Sequence, residues 1–175
     1  MNEFRFSDAE FEYRADDNGL GVVSGVIVRY GDVAQLTERL SESVEPGAFN
    51  TGVTWWANRM HQRPSILAVT GENLTITDNA EALRFRLELP PTQLGRDTAY
   101  ELSKGLLRGA SVELGSVVAR YSGPRRMVQK STAERFALVD KPAYPDSLLK
   151  LNRWEDWEGY EAEEPESTRR YFFLA

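Results

Sequence analysis

Short strand-like segments separated by turn residues run along most of the chain, and they limit the fold more than any other feature of the sequence. Between residues 82 and 89, apolar and charged side chains alternate, as in a strand with one buried face. Residues 20–30 are rich in β-branched side chains and predict a buried strand with a bulge at Gly25. Further strands are predicted at residues 66–70, 74–77, 110–121, 126–130 and 134–139. About seven short strands at this spacing are typical of a closed barrel or a sandwich.

Two helices are expected between these strands. Thr92 follows two prolines and is a suitable N-cap, and apolar residues then recur with helical spacing up to Gly105. The resulting helix, at about residues 93–104, leads by a short turn into the strand that carries Ser111. A second helix is predicted near residues 51–60.

The absence of cysteine and the presence of a single histidine, His61, restrict the chemistry. Disulfides, thiolate-bound zinc and thiol nucleophiles are excluded. No metal is expected, because a transition-metal site would have to be built from carboxylates and one imidazole. The chain also lacks a glycine-rich phosphate loop, so no cofactor is expected, and it lacks the nucleophile-elbow pattern. What remains for catalysis is a serine activated by one imidazole, since a serine hydroxyl needs an adjacent base to take its proton.

The net charge of −6 is unevenly distributed along the 175 residues. Seven acidic and three arginine side chains leave −4 on residues 151–175, so residues 1–150 carry only −2. A nearly neutral body argues against a nucleic-acid partner, which requires clustered Lys and Arg. The chain does not start with a basic segment followed by an apolar one, and nowhere are 18 consecutive residues apolar. We therefore expect a cytoplasmic protein with no membrane partner.

Composition divides the chain into residues 1–150, one folded domain, and residues 151–175, an acidic and aromatic C-terminal appendage. In the appendage, Trp154, Trp157 and Tyr160 recur at helical spacing. A purely solvated tail rarely contains so many aromatic residues. We expect the appendage to dock on its own body, on a second copy in a homo-oligomer, or on a partner.

Four segments resemble, in order, landmarks of the prohead (head maturation) proteases of tailed phages. They are ESVEPGAF at residues 42–49, MH at 60–61, GLLRGASVE at 105–113 and ALVDKPAY at 137–144. The resemblance covers roughly residues 20–150. It implies a serine endopeptidase with the fold of herpesvirus assemblins, a mainly β, closed and mostly antiparallel barrel of about seven strands surrounded by a few helices. It also implies that Ser111 is the nucleophile and His61 its base.

The third catalytic residue stays open at this point. Assemblins use a second histidine, which this chain lacks. Glu113 is the first choice, because it follows Ser111 by two residues on one strand and so projects from the same face, about 7 Å away. Glu134 and Asp140 are the alternatives.

An oxyanion hole needs donors aimed at the developing negative charge. Arg125 and Arg126 are candidates, because they lie in a basic turn, residues 123–126, and assemblins place an arginine-containing loop there.

The implied partners are the major capsid protein precursor and its scaffold segment, inside the immature capsid in a bacterial host, and the implied enzyme often also cuts itself. The main alternative is a non-catalytic capsid or assembly protein that keeps the barrel as an interaction module, because fold does not fix function. A small-molecule binding barrel is a third reading.

Overall fold

A computed structural model describes residues 3–7, 12–15 and 20–140. Over these residues the chain forms strands and one helix, α1 (Gln93–Ser103), which lies between β9 and β10. The strands are β1 (Glu3–Ser7), β2 (Glu12–Arg14), β3 (Val22–Arg29), β4 (Ala34–Thr37), β5 (Leu40–Val44), β6 (Trp56–Arg59), β7 (Ile66–Val69), β8 (Leu74–Asp78), β9 (Ala82–Glu88), β10 (Gly109–Leu114), β11 (Val117–Ser122), β12 (Arg125–Ser131) and β13 (Arg135–Val139).

The strands form three sheets. The first sheet has the order β1-β10-β13-β6-β7, the second β11-β12-β5-β4, and the third β2-β3-β9-β8. Neighbouring strands are antiparallel except for the parallel pairs β12–β5 and β13–β6. The first sheet matters most for function, because it contains the strand with Ser111 and the strand that precedes His61.

The expectation of a closed, assemblin-like barrel of about seven strands is wrong, although the mainly β character agrees. Within the described residues each sheet ends in two edge strands, and none closes on itself. An isolated bridge between Thr70 and Leu74 joins the end of β7 to β8, but no continuous strand pairing links the first and third sheets within the described residues. Closure requires a continuous ladder around the barrel, and edge strands of three to five residues such as β2, β7 and β8 are too short to extend one.

The predicted number of about seven strands is too low, because it lacks β1, β2, β4, β5 and β6. In β5, four of the five residues are buried. Strands covered on both faces lose the alternation that reveals a strand in sequence. The predicted strand at 110–121 is also two strands, β10 and β11, joined through Gly115 and Ser116. A Cβ at Gly115 would lie 2.3 Å from Thr132 Oγ1, so the connection has no room for a side chain there.

One of the two predicted helices forms. The Thr92 hydroxyl accepts a hydrogen bond from Gly95 N at 3.1 Å and caps α1, which buries Thr98, Ala99 and Leu102. The second helix, near residues 51–60, is wrong, so the expected few helices reduce to one in the described part of the chain. Residues of that segment instead pair as β6 with β13 and β7, since sheet pairing overrides a weak local helical pattern.

The core is packed between the first and third sheets. Phe136 of β13 and Phe85 of β9 lie with their ring centroids 4.7 Å apart and are both buried. This contact fixes β13, and β10 beside it, against the third sheet. The central strands of the first sheet are therefore rigid supports for the side chains they carry.

The C-terminal appendage, residues 151–175, and the proposed boundary at residue 150 lie outside the described residues. The helix α1, at 11 residues, is too short to cross a membrane, and no other helix in the described ranges could do so.

Candidate active site

Strand β10 carries two of the candidate residues, Ser111 and Glu113. It lies between β1 and β13 in the first sheet. Because alternate residues of a strand point to the same side, the two side chains share one face of the sheet. Ser111 has no exposed surface and Glu113 is 7% exposed. Buried polar side chains need polar partners, and here these come from the segment that follows β6.

That segment is the histidine turn, residues 60–65. Met60 N donates to the Leu138 carbonyl oxygen at 3.0 Å, and Ser65 N donates to the Gln62 carbonyl oxygen at 2.8 Å. Met60 and His61 both have left-handed backbone conformations, with φ of 51° and 54°. Such conformations are uncommon outside glycine, and they cluster at functional sites. The turn therefore holds His61 in a strained backbone conformation, supported by hydrogen bonds to β13 and within the turn.

His61 and Ser111 are brought together across 50 positions of sequence. The imidazole Nε2 lies 2.6 Å from Ser111 Oγ, within hydrogen-bond range of a hydroxyl donor. Burial lowers the pKa of His61 to about 4, so the ring is neutral at pH 7. An imidazole with its proton on Nδ1 accepts the hydroxyl proton at Nε2. This is the ground-state geometry of a serine paired with a general base.

Glu113 lies two residues from Ser111 on β10 and forms an ion pair with Arg63. Arg63 Nη2 lies 3.3 Å from Glu113 Oε1, and the arginine side chain is 71% exposed against 8% for the glutamate. The guanidinium thus reaches from solvent down to a buried carboxylate.

The two alternative acids lie at opposite ends of β13. Glu134 precedes the strand, is exposed, and accepts a hydrogen bond from Trp56 N through its carbonyl at 2.9 Å. The histidine turn meets β13 at Leu138, about 13 Å further along the strand. Asp140 follows β13 at the end nearer the turn and is exposed. Asp140 therefore lies nearer to the histidine turn along the chain than Glu134 does, and either assignment stays a prediction.

Arg125 and Arg126, the candidate oxyanion residues, belong to the second sheet. Arg125 Nη2 donates to Ser43 Oγ at 3.1 Å. Arg126 Nη1 lies 3.3 Å from Glu42 Oε2, with both side chains almost completely buried. Both of these contacts are with residues of β5. Their oxyanion role stays a prediction without support from these contacts.

Two arginines that flank the histidine were not among the sequence-based candidates. Arg59 Nε donates to Glu101 Oε2 at 2.7 Å, and its Nη2 contacts Oε1, which ties the end of β6 to α1. Arg63 binds Glu113 as described above. A signal was available in the spacing, because His61 and Arg63 are two residues apart, and so are their partners Ser111 and Glu113.

The chemistry of this arrangement is proton transfer from a serine hydroxyl to a neutral imidazole. In the described part of the chain, no group of three or more His, Asp or Glu side chains could hold a metal ion. The histidine turn and β10 together supply a nucleophile and a base, the two groups that acyl transfer needs first.

Comparison with known proteins gives one match. A family model described as caudovirus prohead serine protease matches residues 9–158. This span includes β3 to β13, and with them His61, Ser111 and Glu113. No curated protein and no solved structure matches the chain.

Proposed function

The chain belongs to the caudovirus prohead serine protease family, and from that premise we propose that it is the endopeptidase of capsid maturation, with Ser111 as nucleophile and His61 as base. The single observation that carries the assignment of residues is the 2.6 Å contact between His61 Nε2 and Ser111 Oγ. No other imidazole exists in the sequence to act as the base. The expected substrates are scaffold segments of the major capsid protein precursor, cut inside the immature capsid of a bacterial host, and the protease itself.

In the proposed acylation step, Ser111 Oγ attacks the carbonyl carbon of the scissile peptide while its proton passes to His61 Nε2. The C–N bond of the resulting tetrahedral intermediate then breaks, and the imidazolium returns the proton to the leaving amine. Water then attacks the acyl carbon and loses a proton to the same nitrogen. The bond between the acyl carbon and Ser111 Oγ breaks, and the imidazolium returns the proton to Ser111 Oγ. One histidine thus serves both half-reactions.

Glu113 is proposed to stabilise the imidazolium that forms in each step. Burial that holds the pKa of His61 near 4 also makes the charged ring costly. A carboxylate one strand-repeat from Ser111, almost fully enclosed, provides a negative charge close to where the positive charge appears. In this scheme Arg63 holds the carboxylate in place from the solvent side.

The assignment is tested by incubating the purified full chain with its capsid precursor and following masses by intact-protein spectrometry. We expect cleavage by the native chain and none by Ser111→Ala or His61→Ala, because losing either member of such a pair removes most of the rate. Ser131→Ala is the matched control, since Ser131 is a buried serine on β12 of the second sheet. Unchanged processing by a folded Ser111→Ala chain would contradict the proposal.

A further inference from the structure

Asn58 is a buried polar residue that the proposed reaction does not use. It lies on β6, is 3% exposed, and pairs in register with Ala137 of β13, which in turn pairs with Ser111 of β10. Cross-strand partners project from the same face of a sheet. Asn58 and Ser111 therefore lie in one row on the same face, two strand spacings or about 10 Å apart.

The two ends of the Asn58 amide have different environments. Its Nδ2 donates to the carbonyl oxygen of Gln62 at 3.2 Å, inside the histidine turn and one residue after His61. Its Oδ1 is buried and has no hydrogen-bond partner among the residues that the structure describes. Native proteins satisfy nearly all buried polar atoms, so an unpaired buried carbonyl oxygen calls for an explanation. Because the two ends of one amide are close together, this oxygen also lies beside the histidine turn.

The histidine turn needs such a support. Met60 and His61 are consecutive non-glycine residues in the left-handed region, and strained conformations persist only where surrounding contacts fix them. The buried Asn58 side chain extends from β6 and donates a hydrogen bond to the turn. An apolar residue of similar size would fill the space on β6, but it would not make the hydrogen bond to the Gln62 carbonyl oxygen.

We propose that Asn58 is a positioning residue for His61: its amide nitrogen holds the turn that presents the imidazole to Ser111, and its carbonyl oxygen stabilises the positive charge that the imidazole acquires. This inference rests on the proposed function, in which His61 becomes charged in each step. It differs from the role of Glu113, because a neutral amide sets the position of the ring and contributes a dipole rather than a charge.

The unique histidine provides a direct readout, because every imidazole signal in a proton NMR titration of the full chain belongs to His61. We expect Asn58→Asp to raise the pKa of His61 by at least about 1, since a carboxylate in place of the amide favours the imidazolium. Asn73→Asp is the matched control. The Asn73 amide also binds backbone carbonyls, of Leu67 and Glu88, and we expect it to leave the pKa of His61 unchanged.

Peptide cleavage supplies the second readout. We expect Asn58→Ala to lower kcat by about 10- to 100-fold with KM within about twofold of the native value, because the substitution displaces the His61 base and leaves substrate binding unchanged. Asn58→Ser and Asn58→Asp, which keep a polar group, should recover part of the loss, and they replace the alanine variant if it does not fold. Native kcat in folded Asn58→Ala, or an unchanged His61 titration in folded Asn58→Asp, would overturn the inference.

The two readouts also separate this inference from the proposed function. If the native chain cleaves nothing and Ser111→Ala behaves identically, the proposed function fails. The NMR titration still decides whether Asn58 acts on His61.

Discussion

Two buried glutamates, Glu113 and Glu42, are each paired with an arginine at 3.3 Å, and the difference between their arginines separates two kinds of site. Arg126, the partner of Glu42, is 2% exposed, whereas Arg63, the partner of Glu113, is 71% exposed. The Glu42 pair joins the adjacent parallel strands β5 and β12. The Glu113 pair joins a central strand to the turn that carries His61.

Burial of an acidic side chain therefore does not by itself indicate its role. Where both ions of a pair are buried, removal of one leaves the other charged in a low-dielectric interior, and the folded state loses stability. Where the cation is solvated, the carboxylate can be neutralised with little loss of stability. For Glu113 the proposed role is to act on the nearby Ser111–His61 pair.

The largest effect is expected from Glu113→Gln. This change keeps the shape of the side chain but removes the charge, and we expect peptide cleavage to fall roughly 10⁴-fold, as when the acid of a catalytic triad is neutralised. The free energy of unfolding in urea should stay within about 1 kcal/mol of the native value. Glu134→Gln and Asp140→Asn serve as controls. A crippled Asp140→Asn chain beside a fully active Glu113→Gln chain would move the assignment to Asp140.

Glu42→Gln is expected to have the opposite effect from Glu113→Gln, with lower stability and nearly native activity. The change leaves the buried Arg126 without its carboxylate at 3.3 Å, so the free energy of unfolding should fall by about 3–5 kcal/mol. Activity per folded molecule should remain near the native value, because Glu42 lies in the second sheet. Urea unfolding measures the first quantity, and active-site titration of the folded fraction measures the second. Native stability in this variant would remove the contrast between the two glutamates.

The pH dependence of stability is expected to report on His61. Burial holds its pKa at about 4 in the folded chain, below its usual value of 6.5. Between these values the unfolded chain binds more protons, so stability falls as pH decreases from about 6.5 to about 4. We expect the native chain to lose about 2–3 kcal/mol more than His61→Gln over this range. Parallel urea curves at pH 7 and pH 4 measure the difference, and an equal loss in both chains would show that His61 is not buried as a neutral group.

The smallest effect is expected from Arg63→Ala. A guanidinium that is 71% exposed contributes little to stability, so the free energy of unfolding should change by less than about 1 kcal/mol. Cleavage should fall about tenfold if Arg63 orients Glu113, and the loss should shrink in the double variant with Glu113→Gln, as expected of coupled residues. Additive losses in the double-mutant cycle would contradict the coupling.

Local sequence patterns predicted the parts of the fold that depend on local physics. Alternation along residues 82–89 identified β9, and Thr92 identified the start of α1. Neither the pairing of the strands nor the failure of the sheets to close has a local signature, because β5, β6 and β10 are largely buried and lose their alternation. The second predicted helix does not form, because the segment pairs as β6 with its neighbours β13 and β7, and this pairing has no local signature in the sequence.

The candidate site shows a similar division. The landmarks around His61 and Ser111 singled out both residues, and the structure places them in contact. Arg63 and Asn58 were missed because their positions depend on the left-handed turn at residues 60–61 and on the register between β6 and β13. A one-residue slip in that register would turn Asn58 to the other face of the sheet, and no pattern in the sequence reports it.

Covalent labelling with an alkyl fluorophosphonate tests most directly whether His61 activates Ser111. The reagent phosphonylates a serine hydroxyl that gives up its proton to an adjacent base as the oxygen attacks phosphorus and fluoride leaves. We expect the native chain to gain one label, mapped by peptide mass spectrometry to Ser111, and we expect His61→Ala and Ser111→Ala to gain none. A label on another serine, or labelling of Ser111 at the native rate in folded His61→Ala, would contradict this assignment.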